Sequence, residues 1–324
     1  MKIPPEYTIT PRILELISKI EALKLYFSTL KLTPSIKERI QRVSLLKSSL
    51  FSARIEGNPL ELVNFESGED EKKLEVFNIE NAIKLIESAS FGAVSKELLL
   101  KLHKYVLKNI SPDAGHFREE PSAIFNPAGV AVYISPSPPK IHKLLNNLLG
   151  YVNSDSEKFP LVAAFIAHLI FEKIHPFLDG NGRVGRLLIG TILKLKKWDF
   201  TFSIPFEEYL DEHKNEYYLH LDKGMRETNQ YLIFMLEAFL YQLEKIKEQI
   251  EEEIIKKQAL FLPPRQEEII NIIKDHTVIS FDTIKRRFLK IPERTLRYDL
   301  KKLVDKGLIE TSGQTRGRYY RIKV

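Results

Sequence analysis

Apolar residues recur at helical spacing along most of this chain, and runs alternating with period 2 are few. From Ser35 to Glu56 they fall at Ile36, Ile40, Val43, Leu46, Leu50 and Ile55, which predicts one helix stopped by Gly57-Asn58-Pro59. A second helix is expected over about Leu74–Ser88. A third opens near Ser95 as N-cap and carries Leu98, Leu102, Val106 and Ile110 up to Ser111-Pro112. Residues 113–139 change character, with Gly115, Gly129 and five prolines around the extended run Val130–Ile134, the pattern of a β-hairpin or flap. Helices resume at Pro139–Asn153 and Pro160–Ile174, the latter almost wholly apolar and so expected at the centre. Pro176 forces a turn, because a proline disfavours helical geometry in the residue before it. Another helix starts within Gly180-Asn181-Gly182-Arg183 and runs to Leu195, followed by helices over about Phe206–Glu227 and Asn229–Lys257.

After Leu262-Pro263-Pro264 the pattern is that of a separate small domain. Short helices fall around Ile269–Ile273, Ile284–Phe288 and Leu296–Val304. Two extended stretches, Leu308–Glu310 and Tyr319–Ile322, then flank a turn over Ser312–Gly317. Three helices and a hairpin fit a winged helix-turn-helix. Charge sharpens the division. Residues 262–324 hold 15 Lys and Arg against 8 Asp and Glu, a net of +7, whereas residues 1–261 hold 34 against 35. A basic appendage on a near-neutral body suits a polyanion, DNA, through Arg294, Arg297, Lys301, Arg316 and Arg318; the same fold also serves as a protein-interaction or dimerisation module. With 324 residues, 44% hydrophobic and 28% charged, the chain is long enough for two or three globular domains. It contains no cysteine, which excludes disulfides, thiolate metal sites and cysteine nucleophiles. The start, Met-Lys-Ile-Pro-Pro, has no apolar signal segment, and no apolar run is long enough to span a bilayer, so a cytoplasmic, membrane-free protein is expected.

The densest chemistry is His175-Pro176-Phe177-Leu178-Asp179-Gly180-Asn181-Gly182-Arg183-Val184-Gly185-Arg186. Glycines at a loop-to-helix junction let backbone N–H groups approach an anion at a helix N-terminus, which is a phosphate cradle. Arg183 and Arg186, three apart, share a helix face. Asp179 offers a hard oxygen ligand for Mg2+, and His175 titrates near neutrality and can act as a general base. A metal hydrolase is the rival enzyme, since His168, Glu172 and His175 are spaced i, i+4, i+7. Pro176 ends that helix, however, and the His-Glu-x-x-His order of zinc proteases is absent. His168 reads as a core residue, and His103 and His142 as structural or surface residues.

These twelve residues resemble the signature of the Fic/DOC family, His-Pro-Phe-x-Asp/Glu-Gly-Asn-Gly-Arg-x-x-Arg, at every fixed position. The resemblance implies a mainly α protein: a Fic-type helical core with a β-hairpin flap, plus a small C-terminal winged helix-turn-helix domain. Its expected division is residues 1–90 as an N-terminal inhibitory region, 91–245 as the core, 246–261 as helix end and linker, and 262–324 as the winged helix. The implied activity is transfer of AMP from Mg·ATP to a Ser, Thr or Tyr hydroxyl of a protein, the enzyme itself included. His175 would be the base and Asp179 the Mg2+ ligand. Gly180, Asn181 and Gly182 would cradle phosphates, with Arg183 on the α/β region and Arg186 on the γ-phosphate. Gly115-His116-Phe117-Arg118 resembles the start of the family's flap, which places Ile124 and Phe125 near the nucleotide, while Asn215-Glu216-Tyr217-Tyr218 resembles its adenine-side segment. Ser52-Ala53-Arg54-Ile55-Glu56-Gly57 resembles the family's inhibitory motif, in which Glu56 would occupy Arg186. Relatives that move another group or remove AMP remain alternatives, as does a nucleotide-sensing winged-helix regulator that binds DNA. Dimerisation suits regulators that bind two half-sites.

Overall fold

Helix α6 (Pro160–Ile174) is buried along nearly all its length. Every residue from Leu161 to Ile174 except Glu172 is buried, as an apolar helix without a polar face requires. The computed structural model describes residues 1–324 except 64, 66–69, 91, 126–130, 199, 201, 260, 261, 277, 314–317 and 324, and except the side chains of 124, 125, 131, 132 and 253–259. The chain forms two units, Met1–Lys247 and Glu248–Val324. Among the described residues no helix is long and apolar enough to cross a membrane.

In the first unit α2 (Pro34–Ile55), α3 (Asp70–Ser88), α4 (Lys96–Val106), α5 (Pro138–Val152) and α7 (Asn181–Leu195) join α6 around one core. Ser95 caps α4, its side chain accepting from the Leu98 N–H. That helix stops at Val106, short of the expected Ile110. The buried Asn78 of α3 takes the carbonyls of Val106 and Lys108 at 3.2 and 2.8 Å, which terminates the helix from outside. Ahead of the first expected helix lies α1 (Pro11–Thr29), capped by Thr10, with Pro11 at its first turn and Ile13, Leu16, Ile17 and Ile20 buried. Trp198, which follows α7 and is 6% exposed, donates its indole N–H to Glu21 of α1 at 2.5 Å.

The extended region holds a two-stranded antiparallel hairpin, β1 (Ala123–Phe125) and β2 (Ala131–Ile134), with a register irregularity between Ile124 and Phe125. The single helix expected over Phe206–Glu227 is two, α8 (Glu207–Glu212) and α9 (Lys214–Lys223). His213 breaks it at φ −115°, ψ 37°, its ring stacked on Tyr209 and its Nδ1 lying 2.9 Å from the Tyr209 carbonyl that its own N–H already uses. Next comes α10 (Thr228–Ala259), within which the division between the two units falls.

The second unit contains α11 (Pro264–His276), β3 (Val278–Ser280), α12 (Phe281–Arg287), α13 (Glu293–Asp305), β4 (Ile309–Ser312) and β5 (Tyr319–Ile322). Its sheet is antiparallel in the order β3-β5-β4, and β3 is a strand that apolar spacing did not anticipate. The core includes Ile269, Ile273, Ile284, Leu296, Leu300 and Tyr320. Buried Asp299 of α13 accepts from Arg265 and Gln266 of α11 at 2.5 and 2.9 Å, so its charge is paired where it is desolvated.

Candidate active site

The loop between α6 and α7 is held by its own side chains. His175 caps α6 in the left-handed conformation, φ 48°, which few non-glycine residues adopt, and Pro176 after it rules out helix continuation. Phe177 is fully buried, stacked on His103 at 3.7 Å and on Phe117 at 5.3 Å. Asn181 closes the loop: its Oδ1 accepts from the Phe177 N–H at 2.9 Å and its Nδ2 donates to the Phe177 carbonyl at 2.8 Å. The Asn181 side chain thus spends one donor and one acceptor on holding the loop closed. Gly180 sits at φ 77°, in the left-handed region that favours glycine, as N-cap of α7. A Cβ there would meet the His103 ring at 3.4 Å.

Two residues outside the twelve-residue signature, His103 and Arg118, support this loop. His103, on α4, accepts from the Gly115 N–H at Nδ1 (2.9 Å), so its Nε2 carries the proton and donates to the Asp179 carbonyl at 3.0 Å. Burial pushes its pKa down to about 4, fixing that neutral tautomer. Arg118, 4% exposed, donates to the carbonyls of His175 (2.7 Å), Glu120 (2.8 Å) and Pro136 (2.6 Å). It therefore ties the loop to both flanks of the hairpin, and Tyr133 of β2 adds a bond to the Lys173 carbonyl at 2.5 Å. The side chains of Ile124 and Phe125 lie outside the described residues, as does Arg316.

His175 Nδ1 is buried without a hydrogen-bond partner among the described residues. Burial pulls the ring's pKa below the usual histidine value, opposed first by the Glu172 backbone carbonyl, so the imidazole is neutral at pH 7 and able to take a proton. Asp179 is 62% exposed on its side chain, and its two oxygens face Arg183 Nη2 at 2.9 and 2.8 Å. Arg183 Nη1 reaches Glu75 of α3 at 2.5 Å, while its Nε is buried with no hydrogen-bond partner among the described residues. An unpaired cationic N–H beside a helix N-terminus fits an anionic ligand such as a phosphate. An exposed carboxylate beside it fits Mg2+, which takes few protein ligands and keeps waters and phosphate oxygens. No group of three acidic or histidine side chains able to hold a metal occurs among the described residues.

Arg186, 1% exposed, donates from Nε to Ser52 Oγ (2.9 Å) and from Nη2 to the Ser52 carbonyl (2.8 Å) and Glu56 Oε1 (2.8 Å). Burial works most strongly against its charge, but Glu56, Tyr217 and Glu172 together more than offset it and raise the guanidinium's pKa further, so it stays protonated. The Glu56 carboxylate lies over the start of α7, since a Cβ on Gly182 would meet its Oε1 at 2.1 Å. Tyr217 and Tyr218 part company. Tyr217 is 1% exposed with its hydroxyl 2.8 Å from His168 Nε2, which puts its ring out of a ligand's reach in this structure. Tyr218 is 43% exposed and donates to the Ile55 carbonyl at 3.1 Å. His168 is a fully buried core residue, and the Glu172 Oε1 opposite its Nδ1 at 3.8 Å has no hydrogen-bond partner among the described residues.

Residues 93–193 match the Fic/DOC family. The chain is 29% identical over 197 residues to the protein adenylyltransferase Fic of Drosophila virilis, covering 56% of this chain and 39% of that one. It is 26% identical over 200 residues to the protein of the same name from Culex quinquefasciatus, covering 57% and 38%. The chain thus spans under two-fifths of the length of these curated relatives. Its fold resembles that of a Fic family protein from Desulfovibrio desulfuricans G20, with TM-score 0.72, 24% identity and 98% of both chains covered. It also resembles Fic-1 from C. elegans, with TM-score 0.59, 23% identity and 73% of both chains covered.

Proposed function

We propose, from the premise that residues 93–193 form a Fic/DOC domain, that this protein is an adenylyltransferase that moves AMP from ATP to a protein hydroxyl and is restrained by its own Glu56. The observation that carries the reading is the juxtaposition at one loop of a neutral, proton-accepting His175, an exposed Asp179 and an anion-ready helix start flanked by Arg183 and Arg186. The relatives' name, adenylyltransferase, supports the same chemistry.

In this reading His175 takes the proton of a target Ser, Thr or Tyr hydroxyl. The oxygen attacks the α-phosphorus, the bond to the bridging oxygen breaks, and pyrophosphate leaves. Mg2+ bound at Asp179 would neutralise phosphate charge. The N–H groups at the start of α7 and the Arg183 Nε would orient the phosphates, which is the main demand of nucleotidyl transfer. Arg186 would take the γ-phosphate. While Glu56 holds Arg186 and lies over Gly182, that phosphate has neither its cation nor its space. The target segment would add to the edge of the β1–β2 hairpin, which offers main-chain pairing.

The test is intact-mass spectrometry of the wild type, Glu56→Gly and Glu56→Gly/His175→Ala after incubation with ATP and Mg2+. An AMP adduct on the Glu56→Gly protein, and far less on the other two, is expected. An equal adduct on all three would remove both assignments.

A second reading concerns residues 262–324, whose helix and strand order is that of a winged helix. On α13 Arg294, Arg297 and Lys301 are exposed, as is Arg318 before β5, which favours a DNA backbone as partner. Titration of duplex DNA against the wild type and Arg297→Ala tests it.

A further inference from the structure

Arg183 meets two carboxylates, and they differ in what holds them. Glu75, 14% exposed, bonds Arg183 Nη1 at 2.5 Å through Oε1, while its Oε2 accepts from Asn58 Nδ2 at 2.8 Å. Asn58 is fixed in turn: it donates to the Lys72 carbonyl at 3.0 Å and accepts from the Leu60 N–H at 3.1 Å. Asp179 is 62% exposed and is held by Arg183 Nη2 and by the Gly180 N–H at 2.6 Å. A cation at Asp179 therefore competes with the Arg183 Nη2 donor for its oxygens. The Arg183 side chain is only 5% exposed, so a guanidinium that lost every counter-charge would be an uncompensated buried ion.

We infer that Glu75 is the positioning residue for Arg183: it stays on the guanidinium when Asp179 turns to a cation, leaving Arg183 charge-paired with Nε and Nη2 free for an anion. Through Asn58 the anchor is joined to the turn that follows Glu56, so the two signature arginines are held by two carboxylates 19 positions apart on one connected segment. The inference rests on the reading of the loop as a Mg·ATP site.

Calorimetric titration of ATP into Glu56→Gly/His175→Ala protein, with Mg2+ or with EDTA, reads binding without turnover. In that background Glu75→Gln keeps the side chain's shape and removes its charge. Arg183 then has Asp179 as its remaining carboxylate partner, the pair tightens, and a cation competes less well. Mg·ATP binding should weaken about ten-fold while metal-free ATP binding changes by less than about two-fold. Glu75→Asp, which keeps the charge, should recover most of the loss. Equal losses with and without Mg2+, or no loss, would make Glu75 a packing residue and overturn the assignment. Should the Gln variant fail to fold, Glu75→Asp carries the test: a smaller loss confined to the Mg2+ titration supports the assignment, and a loss in both overturns it. If the starting protein binds ATP in neither condition, the reading of the site falls, and this assignment with it. Binding that is present but insensitive to Glu75 removes this assignment alone.

Discussion

Glu172, 11% exposed on its side chain, shows how one largely enclosed carboxyl records the state of its surroundings. It faces His168 and Lys173 on its own helix, Arg186 on α7, Glu56 beyond α2 and Tyr217 and Tyr218 on α9. Burial first, then the charge of Glu56, pushes its carboxyl up to about 8, with Arg186 opposing. A group whose pKa is higher folded than unfolded contributes stability that is full below the ordinary carboxyl range and is lost as pH rises towards about 8. Inside that window each pH unit is worth up to about 1.4 kcal/mol. Urea midpoints at pH 6 and pH 8 should therefore fall more for the wild type than for Glu172→Gln, and parallel shifts would contradict the raised value. Gly185 records the same crowding. A Cβ there would meet Glu172 Oε1 at 2.1 Å and His168 Nδ1 at 2.9 Å, so Gly185→Ala should cost about 1–3 kcal/mol in the same urea experiment.

Helix α2 presents Ser52 and Glu56 to Arg186 because its last turn is pinned along α8 and α9. Lys47 reaches Glu208 at 3.0 Å, Arg54 Nε reaches Asp211 at 2.9 Å, and Tyr218 holds the Ile55 carbonyl. Partly exposed ion pairs of this kind contribute about 0.2–1 kcal/mol. Asp211→Asn should thus shift the helix towards release and raise the AMP-adduct rate by about two- to five-fold in an otherwise wild-type chain. The same change in a Glu56→Gly background should have no effect, because nothing is left to release; an effect there would assign Asp211 to the chemistry instead. Much of this element and its target was legible in the sequence, since the loop's twelve residues are contiguous and Glu56 closes a helix readable from its apolar spacing, although serines share the buried face of α2 and Val43 is exposed. The supports were not. Glu75 lies 108 positions from Arg183, and Arg118 lies 57 from the His175 carbonyl it binds, so no local spacing marks either. The break at His213 escaped for a different reason, because side-chain competition for a carbonyl leaves apolar periodicity intact. Helix α1 did carry ordinary signals, Thr10 before Pro11 and the spacing of Ile13, Leu16, Ile17 and Ile20, ahead of the point where the helical expectation began.

The two units differ in charge: the first holds the loop between α6 and α7 and the carboxylates packed on its arginines, while the second holds the basic excess around a core of its own. If α13 meets phosphates, Arg297→Ala should weaken duplex binding across sequences and reduce the slope of log affinity against log salt by about 1. Unchanged affinity and slope would leave the second unit as a protein-binding module. Arg297 also packs over Phe281 at 3.8 Å, so the variant's unfolding curve is the needed control. Trp198 gives the first unit an optical reporter of its own. It is the chain's one tryptophan, its indole N–H bonded to Glu21 and its ring faced by Lys24 at 4.6 Å. Excited at the red edge of protein absorption, the chain's fluorescence comes from that one indole. A red-shifted, dimmer emission would then time the departure of α1 from the core, and unfolding confined to residues 262–324 would pass unseen.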